Sequence, residues 1–441
     1  MSNNPSVLLL WDGAVKGAAT VKTHVDALVR ESSCAVYPLS MFGSLPDYID
    51  LDKFDVIVVH YSLFLYSNAY VNAESRQRLR KSRALKAVFI QDEYRFVDQS
   101  VRAMRESGIG LLYTCVPEAE IQKVYPESSL PGVKKVNVLT GYVDDALLGR
   151  DLPSYSERNI DIGYRARKVP AWLGELGQEK WRIGRRVSDD APQYGLTIDV
   201  AYREEERLYG EEWVRFLSNC KATLGVESGA SVFDFSGDIQ AKVEKAALEN
   251  PELDFFELQR RYFFDLEGKI ILNQISPRCF EAAALKTLMI LYEGRYSDRL
   301  IPWRHYLPLK KDHSNFSEIV SILKDESRVT AIVDCAYQEV ALSPKNSFKE
   351  FVRIFDDSVF QQLGSSCVVV PDSYSREEFL SIAMRHEESM LKAGRFRSLA
   401  VWAYFLFFGK ILGSTSEAFR DRVQFYLSKY MRNLFRKLFG R

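Results

Sequence analysis

One stretch of the chain, residues 275–315, combines an acidic side chain with a predicted helix start and a polar loop. Glu281 opens a predicted helix of small residues, and a short apolar strand at 288–291 and a polar loop follow. Helix, strand and polar loop in this order are typical of the carboxyl edge of an open α/β sheet, where ligands bind. A carboxylate there can accept both hydroxyls of a ribose, and the helix N-terminus favours phosphate. The stretch predicts a nucleotide site without a P-loop; the alternative is an ordinary buried helix–strand unit.

A second loop combines small residues with carboxylates. A predicted strand ends in Glu227-Ser228-Gly229, and small residues let a ligand approach the backbone closely. Asp234 follows between two phenylalanines, which would desolvate its carboxylate and make it a better nucleophile or a tuned base. The alternative is that Asp234 and Asp238 cap turns.

A third loop is basic. Arg165, Arg167 and Lys168 follow the apolar run at 160–164. Cations at the end of a strand suit an anionic ligand such as a phosphate or a carboxylate. The alternative is a solvated basic loop that binds nothing.

Two predicted α/β units would position these loops. Apolar runs alternate with amphipathic segments up to residue 145, which is typical of parallel strands in a doubly wound sheet. A linker is expected at 146–158, and a second unit follows it. The predicted strands are residues 6–11, 56–60, 87–91, 110–115 and 136–140, then 160–164, 196–200, 222–225, 270–272 and 288–291.

Composition limits the function classes. The 441 residues are enough for two or three domains. Basic and acidic residues number 59 each, which argues neither for nor against nucleic acid, and no nucleic-acid partner is expected. The six cysteines are scattered without metal-ligand spacing, so reduced core thiols and no metal site are expected. The one Asp-x-Asp, at residues 50–52, precedes a strand and is interpreted as a capping loop.

The two ends of the chain carry separate predictions. The N-terminus lacks a basic region before its short apolar run, so a first strand is expected rather than a signal peptide. The longest apolar stretch, 399–408, is shorter than the roughly 20 residues that span a bilayer. Residues 419–441 form a basic amphipathic pattern, which predicts a membrane-surface helix; the alternative is a helix packed on the protein itself.

Several longer motifs carry a family resemblance. The series IDIGYRxRKxPxWLGxLGQEKW, LYGxxW, LGxESGASxFDFxG, RxFEAAALKT and HYLPLKKDxSN resembles bacterial polysaccharide glycosyltransferases that include the retaining β-Kdo transferases of O-antigen and capsule assembly. The similarity covers residues 160–320 well and the first domain loosely. It implies a modified GT-B fold, with two Rossmann-like domains facing across a cleft and a helical C-terminal extension. It also implies CMP-β-Kdo as the donor substrate, with no metal or other cofactor.

The resemblance also implies roles for individual residues. Asp234 would attack the anomeric carbon and form a glycosyl adduct that the acceptor resolves with net retention, with Glu227 and Asp238 as competitors for this role. The donor-binding residues would be Arg165, Arg167, Ser228, Gly229, Ser276, Arg278, Glu281, Ser297, His305, Tyr306, Lys310 and Asn315. The acceptor-binding residues, at strand ends of the first domain, would be His60, Asp92, Glu93 and Tyr94.

The expected organisation follows from these roles. Residues 1–150 would bind the acceptor, 151–320 the nucleotide sugar, and 321–441 would be a helical region. The acceptor would be a lipid-linked polysaccharide, met by a cytoplasmic enzyme held peripherally at the inner face of the bacterial inner membrane. Two alternatives remain open: a retaining GT-B transferase using a UDP- or GDP-sugar with front-side attack, and a non-catalytic glycan-binding subunit.

Overall fold

The first domain is built on a six-stranded parallel sheet. The computed structural model describes residues 4–13, 19–364, 370 and 373–389. The strands lie in the order β2-β1-β3-β4-β5-β6. Their bounds are Ser6–Trp11 (β1), Ala35–Ser40 (β2), Val56–Val59 (β3), Leu85–Ile90 (β4), Leu111–Thr114 (β5) and Lys134–Asn137 (β6).

Helices cover both faces of this sheet. They are Ala19–Glu31 (α1), Ala73–Lys81 (α2), Val97–Ser107 (α3) and Ile121–Val124 (α4). Alternation along β1 explains the two layers, because successive side chains of a strand point to opposite faces. Val7 and Leu9 pack with α1, whereas Leu8 and Leu10 pack in the core that contains Leu79 of α2.

The second domain repeats this architecture with a five-stranded parallel sheet in the order β11-β10-β9-β7-β8. Its strands are Ile160–Arg165 (β7), Ile198–Ala201 (β8), Cys220–Gly225 (β9), Leu288–Tyr292 (β10) and Leu307–Leu309 (β11). Its helices are Gly174–Asp190 (α5), Gly210–Ser218 (α6), Asp238–Glu249 (α7), Phe255–Tyr262 (α8) and Pro277–Ala284 (α9).

The helical region after residue 315 is divided between the two domains. Helices Phe316–Leu323 (α10) and Glu326–Ala336 (α11) contribute to the core of the second sheet. Helix Phe348–Leu363 (α12) returns to the first domain, where it packs against α1 and the first sheet. Residues 376–389 are also helical and add Phe379 to the first domain's other core. The predicted membrane helix at 419–441 lies outside the described residues.

The prediction of a GT-B-like fold, with two Rossmann-like domains and a helical C-terminal region, is confirmed. Two details differ. The strands β2 and β11 were not predicted, and the predicted strand at 270–272 is not one. Within the described part of the chain, no helix combines the length and apolar character needed to cross a membrane.

Candidate functional site

A cavity of about 320 Å³ lies at the carboxyl edge of the second sheet. Its walls come from the ends of β7 and β9, from β10, from the middle of α5 and from the start of α9. The charged and hydroxyl-bearing residues of the wall are Tyr164, Arg167, Lys180, Arg207, Thr223, Ser228, Ser276 and Arg278. No carboxylate belongs to this wall as far as the described residues go, so its charge is positive.

Lys180 was not among the predicted site residues. It lies on α5 between Leu176 and Ile183, at the spacing that turns it toward the sheet with those apolar side chains. Burial lowers the pKa of its ammonium group, and the nearby Arg278 and Arg167 lower it further, while Asp92 of the first domain acts in the opposite direction. An anion in the cavity would favour the charged form of this lysine.

The start of α9 supplies another part of the wall. Ser276 is the N-cap residue, its side chain makes no capping hydrogen bond, and Pro277 occupies the first turn. The Arg278 guanidinium lies 5.1 Å from the Trp213 ring centroid and donates to the main-chain oxygen of Arg165. An N-terminus of this kind, with an arginine in its first turn, is a favourable place for a phosphate.

Glu281 lies one turn beyond Arg278. It is the fifth residue of α9, so the prediction that it opens the helix is wrong. Its Oε2 accepts a hydrogen bond of 2.8 Å from the indole Nε1 of Trp213, and burial raises the pKa of its carboxyl group. The Trp213 ring thus contacts both the cavity arginine and the carboxylate that was predicted to bind a ribose.

Arg165 and Arg167 have different surroundings. Arg165 forms an ion pair with Asp199 at 2.8 Å, and its guanidinium lies 4.1 Å from the ring centroid of Phe216. It does not line the cavity, whereas Arg167 does. The basic loop therefore presents Arg167 to a ligand, and Arg165 supports β8 and α6.

Two small residues shape the loop after β9. Ser228 lines the cavity, and its backbone N–H donates to Gln274 O at 2.7 Å. Gly229 has φ +112°, and a side chain there would overlap the carbonyl oxygen of Leu272. This position therefore needs glycine for the close approach of two backbone segments.

Five other predicted donor-binding residues make contacts away from the cavity wall. Ser297 Oγ accepts from Ile275 N at 3.0 Å, which anchors the segment before α9. His305 Nε2 lies 2.9 Å from Glu339 Oε2, and Tyr306 is fully buried against another tyrosine ring. Asn315 accepts from the Lys310 backbone N–H at 3.0 Å. The side chains of His305, Tyr306, Lys310 and Asn315 do not line this cavity.

The two predicted catalytic carboxylates are both buried. Glu227 accepts from Asn273 Nδ2 at 2.6 Å and from the backbone N–H groups of Arg295 and Tyr296 at 3.1 and 2.8 Å. Asp234 is 1% exposed, and each of its carboxylate oxygens accepts a backbone N–H at 2.8 Å. These contacts correspond to the capping alternative, while the nucleophilic role of Asp234 stays a prediction.

The four predicted acceptor-binding residues differ in their exposure. His60 is fully buried, with its ring nitrogens 3.0 Å from Ser62 Oγ and from His24 Nδ1. Glu93 is also buried beneath the sheet edge. Asp92 is exposed and Tyr94 is half-buried, so these two of the four side chains can meet a ligand.

The described residues contain no cluster of three or more His, Cys, Asp or Glu arranged to hold a metal ion, and the absence of a metal requirement stays a prediction. The Asp-x-Asp at 50–52 is a capping loop as predicted. Asp50 accepts from the backbone N–H of Asp52 at 3.0 Å, and Asp52 accepts from Arg83 N at 2.8 Å.

No protein-family profile matches the chain, and no curated protein matches it in sequence. Among solved structures it is similar to S. aureus TarM at 11% identity and a TM-score of 0.39, covering 70% of this chain and 56% of that one. The chain therefore spans little more than half of TarM. It is also similar to a DNA-modifying β-glucosyltransferase at 13% identity and a TM-score of 0.44, covering 80% and 99% of the two chains. Sucrose-phosphate synthase from Thermosynechococcus elongatus has 12% identity and a TM-score of 0.43, covering 82% and 99%. Similarity at this level does not define the chemistry of the site, which depends on the chain's own residues.

Proposed function

We propose that the chain is a glycosyltransferase whose cationic cavity binds the nucleotide-linked end of an anionic sugar donor. The observation that carries this proposal is the convergence of Arg167, Lys180 and Arg278 on one cavity with no carboxylate in its described wall. Three cations gathered around one cavity repel one another unless a counter-anion joins them. The carboxyl edge of a Rossmann-like sheet beside a helix N-terminus suits the phosphate of a nucleotide.

The donor that we propose is CMP-β-Kdo. Its phosphate and its sugar carboxylate are two separate anionic groups, which agrees with a cavity that receives cations from two helices, Lys180 from α5 and Arg278 from α9. Glu281 lies one turn of α9 beyond Arg278 and is not itself part of the cavity wall; it would receive ribose hydroxyls through Oε1, since Oε2 is engaged by Trp213. The motif resemblance supports the same donor.

The acceptor would enter from the first domain. Asp92 is exposed at the end of β4, and it acts electrostatically on Lys180 of the cavity. A hydroxyl of a lipid-linked polysaccharide could therefore meet the donor sugar near Asp92 and Tyr94. We further propose that residues 419–441 hold the protein at the inner face of the bacterial inner membrane, where such an acceptor would be found.

The proposed reaction is a retaining transfer by double displacement. The resemblance implies Asp234 as the nucleophile of this step, with Glu227 and Asp238 as competitors for the role; Asp234 would have to release two backbone hydrogen bonds to reach a sugar. Incubation with donor and no acceptor, followed by mass analysis of the peptide that contains Asp234, tests this step. Hydrolysis of the donor by the purified protein would separate an enzyme from a non-catalytic glycan-binding subunit.

Calorimetric titration of nucleotides tests the site itself. Lys180→Ala and Arg278→Ala should each weaken CMP binding by roughly 10- to 150-fold, because a hydrogen bond to a charged group contributes about 1.5–3 kcal/mol. Lys168→Ala is the matched control, since Lys168 lies 5.0 Å from the Trp181 ring centroid and does not line the cavity. Equal losses in all three variants would contradict the assignment of the cavity. Tighter binding of UDP or GDP than of CMP would redirect the proposal to those donors.

A further inference from the structure

A short segment of each domain pairs with the other beside the cavity. The Asp234 backbone N–H donates to Tyr94 O at 2.7 Å, and the Phe96 N–H donates to Asp234 O at 2.8 Å. Asp98 N donates in turn to Phe235 O at 3.0 Å. The segments 94–98 and 234–237 therefore meet at an isolated parallel bridge between Arg95 and Asp234, and we call this pairing the interdomain clamp.

The side chain of Asp234 shapes the second-domain half of the clamp. Its Oδ1 accepts from Gly237 N and its Oδ2 from Gln240 N, both at 2.8 Å, which fixes the turn into α7. Gly237 has φ +92°, and a side chain there would overlap the ring of Phe96. The first-domain phenylalanine thus packs directly on the turn that Asp234 holds.

The clamp connects the two sides of the proposed reaction. Its second-domain segment follows the loop of Ser228, which lines the cavity. Its first-domain segment begins two residues after Asp92, which has φ +56°. The ring centroid of Tyr94 lies 6.1 Å from that of Trp172 in the second domain, so the rim of the first domain that Asp92 and Tyr94 form is held against the donor side.

We propose that Asp234 is a positioning residue whose buried carboxylate holds the interdomain clamp, and through it keeps Asp92 and Tyr94 at the mouth of the donor cavity. The inference rests on the proposed function for what the clamp positions, but the clamp can be measured without substrate. In this role the carboxylate does not touch the sugar. This role replaces the nucleophilic one that the resemblance implies for Asp234, and it leaves Glu227 and Asp238 as the competing nucleophiles.

Hydrogen exchange of the backbone amides tests the clamp directly. Asp234→Asn replaces one carboxylate oxygen with an NH2 group, which cannot accept a hydrogen bond. The backbone N–H of either Gly237 or Gln240 then loses its acceptor, so the turn should loosen. Gly237→Ala perturbs the same turn without changing a carboxylate. Both variants should speed the exchange of the Phe96 and Asp98 amides relative to the wild type. Unchanged exchange in both variants would overturn the inference.

Kinetics distinguish a positioning residue from a nucleophile. If Asp234 positions the rim, Asp234→Asn and Gly237→Ala should lose transfer to the acceptor together, by about 10²-fold for a displacement near 1 Å. Donor hydrolysis should fall no more in Asp234→Asn than in Gly237→Ala. Loss of donor hydrolysis in Asp234→Asn alone would overturn the inference in favour of the nucleophile.

Nucleotide binding by the wild type keeps the outcomes separate. If the wild type binds no nucleotide, the proposed function fails, and amide exchange still decides whether the clamp exists.

Discussion

Glu93 makes the stability of the protein depend on pH. Its buried carboxyl group lies at the end of β4 and accepts from Thr114 Oγ1, Cys115 N and Tyr125 OH at 2.5, 2.6 and 2.7 Å. Burial raises its pKa from 4.5 to about 7, and the three neutral donors only partly oppose that shift. The folded protein therefore binds a proton at Glu93 more tightly than the unfolded chain does.

The sign and size of the effect follow by linkage. Because the folded pKa is raised, the contribution of Glu93 to stability is fully present below the unfolded pKa of 4.5 and is lost as pH rises through about 7. Between pH 5 and pH 8 this amounts to about 2.5 kcal/mol, at 1.36 kcal/mol per pKa unit. Glu93→Gln cannot ionise, so it should escape this loss.

Urea unfolding of the wild type and Glu93→Gln at pH 5, 6, 7 and 8 measures the difference. The free energy of unfolding of the wild type should fall relative to that of the variant as pH rises. Glu118→Gln is the matched control, because it removes an exposed carboxylate of the same domain. A difference that stays constant from pH 5 to 8, or grows in favour of the wild type, would refute the reasoning.

Two other predictions concern the second domain and the C-terminal end. Arg158 is buried and donates to the carbonyl oxygens of Cys220 and Leu285 and to the Thr287 hydroxyl. Arg158→Met leaves these acceptors unpaired, so it should lower the free energy of unfolding by about 2–4 kcal/mol. An unchanged midpoint of urea unfolding would contradict this prediction. Deleting 419–441 should reduce sedimentation with anionic liposomes, since basic residues near such a surface contribute about 1 kcal/mol each. A truncated protein that aggregates instead would favour packing of this segment on the protein.

Periodicity predicted the central strands because they are buried on both faces. Residues 6–11 were located to the residue, and β3, β4 and β5 to within two residues at each end. The edge strand Ala35–Ser40 was missed, since it carries a proline and is mostly half-buried, which weakens the apolar signal. At 270–272 the run is apolar, but Ile271 is exposed and the segment forms no strand. An apolar run alone does not distinguish a strand from an apolar loop.

Local sequence patterns also located only part of the candidate site. The loops after β7 and β9 were predicted to contribute, and Arg167, Ser228 and Arg278 do line the cavity. Lys180 was overlooked because it lies inside a helix, although its spacing from Leu176 and Ile183 places a charge on an apolar face. Which of two neighbouring arginines enters the cavity depends on Asp199, a partner distant in sequence, and no local pattern encodes such a pairing.

The return of α12 to the first domain has a consequence for how the chain is made. Phe351 and Phe355 complete the core around Phe89, and the Asp356 carboxylate accepts from Ser33 N at 2.8 Å. These residues leave the ribosome more than 200 residues after β6, a delay of roughly 10–45 s at about 5–20 residues per second. Until then the nascent first domain exposes the apolar side of α1. The second domain is therefore synthesised in full while the first still lacks part of its core, and a fragment ending before Phe348 would carry that exposed surface permanently.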